Sequence, residues 1–369
     1  MKDIKTIDSL YHACTYGRAP VVFERGYANP EWVKAVSEQA AVLPHTSNLF
    51  YNEKTAMLAG RLALRTHFER VFLSNSGAEA NECLIKTARK WASDTKGEGE
   101  HPFVTLVNSF HGRTLTTVTA TGQDTFHKFF GPFTPGFRYV PAGDLAALER
   151  QLDAEDCSAV LVEIVQGEGG VRALDADYLK AVEALCHEKN VLFCVDEVQT
   201  GNGRTGTWFA YEQFGLSPDL VSTAKGLGNG LPIGATLMGP KTAEVLTPGT
   251  HGSTFGGNPV ACAGALSVLE QIDDAFLEAV KQKGAWLTAE LEKIPGVKDV
   301  SGLGLMLGFS VEGCKSADIK AKALDNGLVV LTAKDRVRLL PPLAITEEEL
   351  SDGLLRLAAA IREVQEAAH

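Results

Sequence analysis

Two residues that end neighbouring apolar segments could do chemistry together. Asp196 follows the apolar run 191–195, and Lys225 follows the run 219–224 and precedes glycines. A carboxylate that ends a buried strand is costly unless a positive group meets it, and a desolvated lysine is a nucleophilic amine that forms imines. Alone, Asp196 could be a structural ion pair or a helix cap, and Lys225 could be a surface lysine. As a pair they indicate a carboxylate that keeps a pyridinium nitrogen protonated beside a reactive amine.

The segment 73–81 has the pattern of a phosphate cradle. A predicted strand runs through Ser76, Gly77 and Ala78 directly into a helix. The free amides and the positive dipole end of such a helix bind phosphate. The alternative is a serine that only caps a helix with an acidic first turn.

A third group of polar and aromatic residues follows another predicted strand, in the segment 108–114. Phe110 could stack on a flat ring, and Arg113 could clamp a carboxylate with two hydrogen bonds. The alternative is that His111 is an ordinary satisfied histidine and Arg113 a surface residue.

The segment 201–206, GNGRTG, matches the dinucleotide-binding pattern GxGxxG. No clear helix opens at its third glycine, so the match is weak and a nicotinamide site is not expected.

Composition narrows the classes of protein. The net charge of −11 argues against a nucleic-acid binder. The seven cysteines are scattered without a CxxC pair, which indicates core residues in a reducing compartment and neither disulfides nor a metal site. The polar start at 1–5 and the absence of a membrane-length apolar run predict a cytoplasmic protein with no membrane partner.

Short β-branched runs alternate with helical patterns, which predicts an α/β fold with a mostly parallel sheet. Ligands of such sheets bind beyond the carboxyl ends of the strands, where the residues above lie. The stretch before Val71 is mixed and is expected to join the small domain or a subunit contact. The predicted strands of the sheet are 71–75, 103–108, 137–141, 159–165, 191–198, 220–224 and 235–239. The predicted helices are 79–91, 144–152, 176–189 and 260–272, followed by strands at 305–311, 328–331 and 336–339 and a terminal helix from Thr346.

Seven segments together resemble the class III pyridoxal-phosphate-dependent aminotransferases, in that family's order and spacing from about Pro30 onward. The resemblance implies a fold-type-I architecture with a large domain built on a seven-stranded mostly parallel sheet and a smaller α+β domain. The expected division is an N-terminal segment 1–45, a large cofactor-binding domain 46–295 and a small domain 296–369. The segments are SNSGAEANE (74–82), FHGRT (110–114), VQGEGGV (165–171), FCVDEVQTGNGRTG (193–206), AKGLGNGLPIGA (224–235), HGSTFGGNP (251–259) and VRLLPPL (337–343).

The resemblance also implies roles for single residues around pyridoxal 5'-phosphate. Lys225 would hold the cofactor through its amine and later move the substrate proton, and Asp196 would hold the ring nitrogen. The other implied cofactor contacts are Ser76, Gly77, Ala78, Phe110, Val198, Gln199 and, from a partner subunit, Thr254.

For the substrates, the resemblance implies two arginines. Arg113 would bind a substrate carboxylate with Ser253 nearby, and Arg338 would bind the α-carboxylate of glutamate or 2-oxoglutarate. Glu168 would mask Arg338 while the other substrate is bound, which is a sensible way to accept two substrates of different charge.

The implied activity is transfer of an amino group from N-acetylornithine to 2-oxoglutarate, giving N-acetylglutamate semialdehyde and glutamate, in a homodimer that serves arginine biosynthesis. The stretches 45–53 and 338–343 favour this branch of the family. Ornithine, succinylornithine, 4-aminobutyrate or an aminoadipate-pathway amine stay open as donors, because the motifs around Lys225 bind the cofactor and not the distal group. An intramolecular aminomutase is disfavoured by the two arginines.

One stretch departs from the family pattern. In the family, strands and a loop separate the two segments that correspond to 17–26 and 26–30 of this chain. Here the two segments follow each other directly. Roughly 25 residues, about enough for a two-stranded hairpin and a connecting loop, are missing by comparison. That piece usually completes an N-terminal sheet and lines the substrate pocket, and what remains at 21–23 supplies at most one short strand. The departure therefore leaves open a cofactor-binding dimer with little turnover.

Overall fold

The computed structural model describes residues 28–66 and 68–367, and within them the strands form one large sheet and two small ones. The large sheet holds seven strands, as the sequence predicted. The strands are β1 (Arg70–Ser74), β2 (Phe103–Leu106), β3 (Phe137–Val140), β4 (Ala159–Val162), β5 (Val165–Gln166), β6 (Arg172–Ala173), β7 (Leu192–Asp196), β8 (Leu220–Thr223), β9 (Gly234–Met238), β10 (Val297–Leu303), β11 (Met306–Val311), β12 (Leu331–Ala333) and β13 (Arg336–Leu339).

The helices that cover these sheets alternate with the strands. They are α1 (Pro30–Val42), α2 (Glu53–Thr66), α3 (Gly77–Lys96), α4 (Leu115–Ala120), α5 (Leu145–Ala154), α6 (Ala176–Glu188), α7 (Pro259–Gln271), α8 (Asp274–Leu291), α9 (Ser316–Asp325) and α10 (Glu347–Ala367).

The large sheet runs in the order β1-β9-β8-β7-β4-β2-β3. β9 pairs antiparallel with both of its neighbours, and the other neighbouring pairs are parallel. The carboxyl ends of β4, β7 and β8 therefore meet at one edge. This confirms the predicted α/β class and places Asp196 and Lys225 after adjacent strands.

Alternate residues of each central strand enter two different apolar cores. Val160 and Phe193 belong to one core, whereas Leu161 and Cys194 belong to the core that α3 covers. Both faces of the sheet are thus buried, which explains why these strands are apolar without alternation.

The helices that approach the site begin at polar caps. Ser76 accepts a hydrogen bond from the Glu79 amide at 3.2 Å, which starts α3 directly after β1. Asn258 caps α7, where Pro259 occupies the first turn. These caps fix where each loop at the sheet edge ends.

A four-stranded antiparallel sheet, β10-β11-β13-β12, forms the C-terminal unit. Its core includes Phe309 and Val337 and also Leu287 from α8 and Leu357 from α10. The strand predicted at 328–331 lies later, at β12, and β10 was not predicted.

The N-terminal segment is described only from residue 28. Helix α1 packs on α7, and Trp32 donates a hydrogen bond to the Gly228 carbonyl at 3.2 Å. The strand predicted at 21–23 lies outside the described residues. In the described part of the chain, no helix is both long and apolar enough to span a membrane, and no group of His, Cys, Asp and Glu side chains forms a candidate metal site.

Candidate active site

Asp196 lies at the end of β7, 4% exposed, with three hydrogen-bond donors around its carboxylate. His111 Nδ1 and Asn81 Nδ2 each lie 2.8 Å from Oδ2, and the Val198 amide donates to Oδ1 at 3.0 Å. Asn81 also donates to the His111 carbonyl, so α3 ties the two residues together. A buried carboxylate held by these fixed donors can face a cationic ring nitrogen.

Lys225 opens the short 3₁₀ turn that follows β8, and its backbone is left-handed, with φ of 44°. A non-glycine residue in this region is strained and is held there by its surroundings. Burial lowers the pKa of the Lys225 amine, and the charges of Asp196, Glu168 and Glu163 oppose that shift while Arg338 adds to it. Asp196 pairs with Ser222 of β8, so the strand end that carries Asp196 lies beside the one that Lys225 follows.

Glu163 is a third carboxyl group at this edge. It directly follows β4, where Val162 pairs with Val195, so it lies beside Asp196 in the next strand. Its side chain is 5% exposed and accepts a hydrogen bond from the Phe110 amide at 2.8 Å. Burial, and then the charge of Asp196, raise the pKa of Glu163 well above its usual value.

The loops around this edge pack so closely that a side chain at either of two glycines would collide with a neighbouring loop. A Cβ on Gly77 would lie 2.6 Å from Cγ1 of Val198, and a Cβ on Gly167 would collide with the Gln199 amide. The Gln199 Oε1 atom is buried without a partner in the described chain. Because the first amides of a helix have no intrahelical acceptors, Gly77 and Ala78 present donors at the start of α3.

These features fit pyridoxal phosphate. The start of α3 suits its phosphate, Asp196 suits its ring nitrogen, and the unpartnered Oε1 acceptor of Gln199 suits a ring hydroxyl that donates to it.

Phe110 and Arg113 lie on the loop after β2. The Arg113 guanidinium lies 5.4 Å from the centre of the Phe110 ring and 4.4 Å from that of Phe126, which the sequence analysis did not identify. The two rings meet edge to face at 5.3 Å. Arg113 itself is exposed, so its guanidinium is available to a ligand.

Arg338 lies on β13 of the small sheet, 2% exposed, and pairs with Glu168 of the β5–β6 hairpin. The contact joins Nη1 to Oε1 at 2.7 Å, and Nε has no partner in the described chain. The single contact leaves part of the guanidinium fork unused.

Ser253 and Thr254 lie on the loop that precedes α7. The Ser253 hydroxyl accepts a hydrogen bond from Asn75 at 3.0 Å, and Asn48 donates to the Ser253 carbonyl at 2.6 Å. Thr254 is exposed, and no hydrogen bond described in this chain links it to Lys225 or Asp196. Asn48, in the stretch 45–53, and Asn75 thus both brace this loop.

The structure brings most of the predicted residues together and adds His111, Asn81 and Glu163. Glu163 carries the same signal as Asp196, a carboxylate after an apolar strand. It was missed because the predicted strand 159–165 ran through it, whereas β4 ends at Val162. The weak GxGxxG match is a turn in which Asn202 donates to the Ala224 carbonyl at 3.2 Å, so it supports the Lys225 turn.

Comparison with known proteins identifies the family of this fold and site. The family model described as "Aminotransferase class-III" matches residues 17–361. An acetylornithine aminotransferase from Haemophilus ducreyi is 50% identical over 340 residues, covering 92% of this chain and 86% of that protein. One from Methanocaldococcus jannaschii is 41% identical, covering 95% of each chain.

Among solved structures, an ornithine aminotransferase from Toxoplasma gondii superposes with a TM-score of 0.92 at 33% identity, covering 100% of this chain and 96% of that one. That structure has partial occupancy of pyridoxal phosphate at its active site.

Proposed function

This chain belongs to the class-III aminotransferases, which are pyridoxal-phosphate-dependent, and we propose that it moves the amino group of N-acetylornithine to 2-oxoglutarate. The Arg338–Glu168 pair beside Lys225 carries the proposal, because a displaceable carboxylate lets one arginine serve two different substrates. The choice of donor is supported by the acetylornithine aminotransferases at 50% and 41% identity.

Bound pyridoxal phosphate supplies an electron sink for the electrons released at the substrate carbon. The Asp196 carboxylate holds the ring nitrogen in its charged form, and His111 and Asn81 keep that carboxylate in place. Lys225 would hold the cofactor through its amine, and its Nζ would take the proton from the substrate carbon. Its lowered pKa favours the neutral amine that this step requires.

The two arginines divide the substrates by where their carboxylates lie. N-acetylornithine reacts at a carbon that bears no carboxylate, so Arg338 keeps Glu168 as its partner while Arg113 binds the distant carboxylate. Glutamate reacts at the carbon that bears its α-carboxylate, which displaces Glu168 from Arg338 while Arg113 binds the other carboxylate. Each substrate thus leaves no buried charge unpaired.

A second copy of this chain completes the site. The surface next to Thr254 exposes Phe255 at 60%, Phe50 at 66% and Leu49 at 87%. Apolar side chains grouped in this way favour a protein–protein contact. Thr254 would then reach the phosphate of the partner subunit, and the enzyme would act as a homodimer in the cytoplasm.

A low-turnover protein is the second candidate, and one observation favours it. The alignment with the Methanocaldococcus jannaschii protein spans 381 positions, more than the 369 residues here, so that relative has residues without a counterpart in this chain. Inserting a family-like segment after Gly26 should raise turnover if the shortened region limits catalysis. Unchanged turnover and dimer affinity would remove this candidate.

A panel of amine donors with 2-oxoglutarate tests the main proposal. We expect the highest kcat/KM for N-acetylornithine, with ornithine, succinylornithine and 4-aminobutyrate each at least about tenfold lower. A higher kcat/KM for any of these three donors would overturn the assignment of the donor while leaving the enzyme class intact.

A further inference from the structure

Arg336 is a buried charge that the proposed chemistry does not use. Its side chain is 1% exposed, and no carboxylate in the described part of the chain forms an ion pair with it. It donates to the carbonyls of Asp299 and Gly308 and to the Ser301 hydroxyl, while Nε and Nη1 have no described partner. A guanidinium buried in this way stabilises a fold poorly, so its place requires another explanation.

The contacts of Arg336 lead to the turn 167–171, the tip of the hairpin formed by β5 and β6. Ser301 accepts a hydrogen bond from Arg336 at 2.8 Å and donates one to the Val171 carbonyl at 2.6 Å. A Cβ on Gly170 would lie 3.2 Å from Cδ of Arg336, and a Cβ on Gly308 would lie 2.7 Å from that of Val171. The small sheet therefore grips the main chain of the hairpin tip.

The tip is held in an unfavourable backbone conformation. Gly170 has φ of 110° and Val171, a β-branched residue, has φ of 54°. Such a conformation persists only where the surroundings over-determine it. The Arg336–Ser301 contact supplies part of that restraint.

The same tip carries Glu168, and the same strand carries Arg338. Arg336 and Arg338 are two residues apart on β13, so they lie on one face of the sheet. One arginine thus holds the main chain of the tip while the other pairs with its side chain. With the tip fixed, Glu168 makes one contact with Arg338 instead of the stronger two-pronged contact.

We propose that Arg336 and Ser301 are positioning residues that hold the 167–171 tip so that Glu168 stays a weak, displaceable partner of Arg338. An incoming substrate α-carboxylate can form two hydrogen bonds to Arg338 and therefore displaces Glu168. When the tip is released, Glu168 can move with the Arg338 guanidinium and competes better with the α-carboxylate of the substrate. This inference rests on the proposed exchange of two substrates at Arg338.

The first test measures the two half-reactions of Arg336→Met. The KM for 2-oxoglutarate should rise about tenfold with kcat changed less than about twofold, and the N-acetylornithine half-reaction should change less than about twofold. Arg336→Lys should lie between the wild type and Arg336→Met, and Ser301→Ala should shift the same KM in the same direction. Arg172→Met, an exposed arginine beside the same tip, is the matched control and should leave both half-reactions unchanged.

The decisive comparison removes Glu168. In a Glu168→Gln background, Arg336→Met should change the 2-oxoglutarate KM by less than about twofold, because no carboxylate is left to compete. A tenfold rise in that background, or equal losses in both half-reactions of the single variant, would show that Arg336 is merely structural and would overturn the inference.

Hydrogen exchange of the cofactor-free protein provides a readout without substrate. Amides of 167–171 should exchange faster in Arg336→Met than in Arg172→Met, while β7 keeps its protection. Equal exchange rates of these amides in the two variants would refute the claim that Arg336 restrains the 167–171 tip. If the wild type does not use N-acetylornithine, the proposed function fails, but this comparison still decides the structural claim.

Discussion

The crevice at the ends of β4, β7 and β8 differs from the loop around Thr254 in how its polar groups are satisfied. In the crevice, Asp196 is 4% exposed and receives three donors from its own chain. On the loop, Thr254 is exposed and the neighbouring Phe255 ring is 60% exposed. In the proposed homodimer, one chain builds the ring-binding side of the site and a second copy covers the other side.

The difference follows from the fold. Parallel strands bring their carboxyl ends to one edge, where helix starts and loops from the same chain supply donors. The Thr254 loop is braced by Asn48 and Asn75, whereas Thr254 itself is exposed.

The largest effect is expected from Lys225→Ala. Turnover should fall by at least about 10³-fold, because the variant has no amine to attach the cofactor or move the proton. The purified protein should lose its yellow absorbance, and borohydride should no longer fix the cofactor to the chain. Lys241→Ala, which removes the surface partner of Asp219, is the control and should stay yellow and active. Borohydride labelling at another lysine, such as Lys86, would refute the assignment.

Asp196→Asn should lower turnover by about 10²-fold or more while cofactor binding falls much less. A neutral amide cannot keep the ring nitrogen charged, whereas the phosphate cradle at the start of α3 is unchanged. Single-turnover rates and cofactor titration separate the two effects. Asp219→Asn is the control, because it removes another buried carboxylate beside a strand of the same sheet. It should reduce stability without lowering turnover more than cofactor binding. Near-normal half-reaction rates in Asp196→Asn would contradict the role.

Arg338→Ala should mainly harm the half-reaction with glutamate and 2-oxoglutarate. Loss of a charged hydrogen-bonded contact costs about 1.5–3 kcal/mol, so kcat/KM in that half should fall roughly 10- to 100-fold. Arg113→Ala should instead harm both halves, and Glu168→Ala should shift preference toward glutamate. Arg138→Ala, which breaks an unrelated arginine–glutamate pair, controls for general destabilisation. Equal losses of kcat/KM in both half-reactions of Arg338→Ala would contradict the exchange of Glu168 for a substrate carboxylate at Arg338.

A smaller effect concerns the pH at which the cofactor-free protein captures pyridoxal phosphate. The neutral amine is the nucleophile, so the capture rate rises with pH through the pKa of Lys225, which burial lowers. The charge of Asp196 opposes that shift, so Asp196→Asn should move the profile to lower pH. The charge of Arg338 adds to it, so Arg338→Met should move the profile to higher pH. Stopped-flow absorbance across pH would show both, and shifts of the opposite sign would contradict the electrostatics.

The sequence predicted the large sheet well and its surroundings less well. The five inner strands β2, β4, β7, β8 and β9 are buried along their whole length, a local signal that survives without tertiary information. Helices α1, α2, α4, α8 and α9 and strands β6 and β10 were not predicted. Strand β10, for example, contains Lys298, Asp299 and Ser301 and is defined by its pairing with β11.

The candidate site divides in the same way. Asp196 and Lys225 were found because each residue directly follows an apolar strand. Phe126 and Arg336 were not found, because their importance depends on contacts with Arg113 and with the 167–171 tip that lie far away in sequence. Local pattern therefore identified the chemistry, and only the folded structure identified the residues that position it.

Mixed dimers test most directly the claim that two copies share one active site. Lys225→Ala removes the attachment point, and Thr254→Asp places a negative charge against the phosphate of the partner subunit, so each homodimer should be inactive. A dimer with one chain of each kind should contain one intact site, built from Lys225 of one chain and Thr254 of the other, and should regain roughly half of the wild-type activity. Mixed dimers as inactive as both parents would show that Thr254 does not complete the site of the partner subunit.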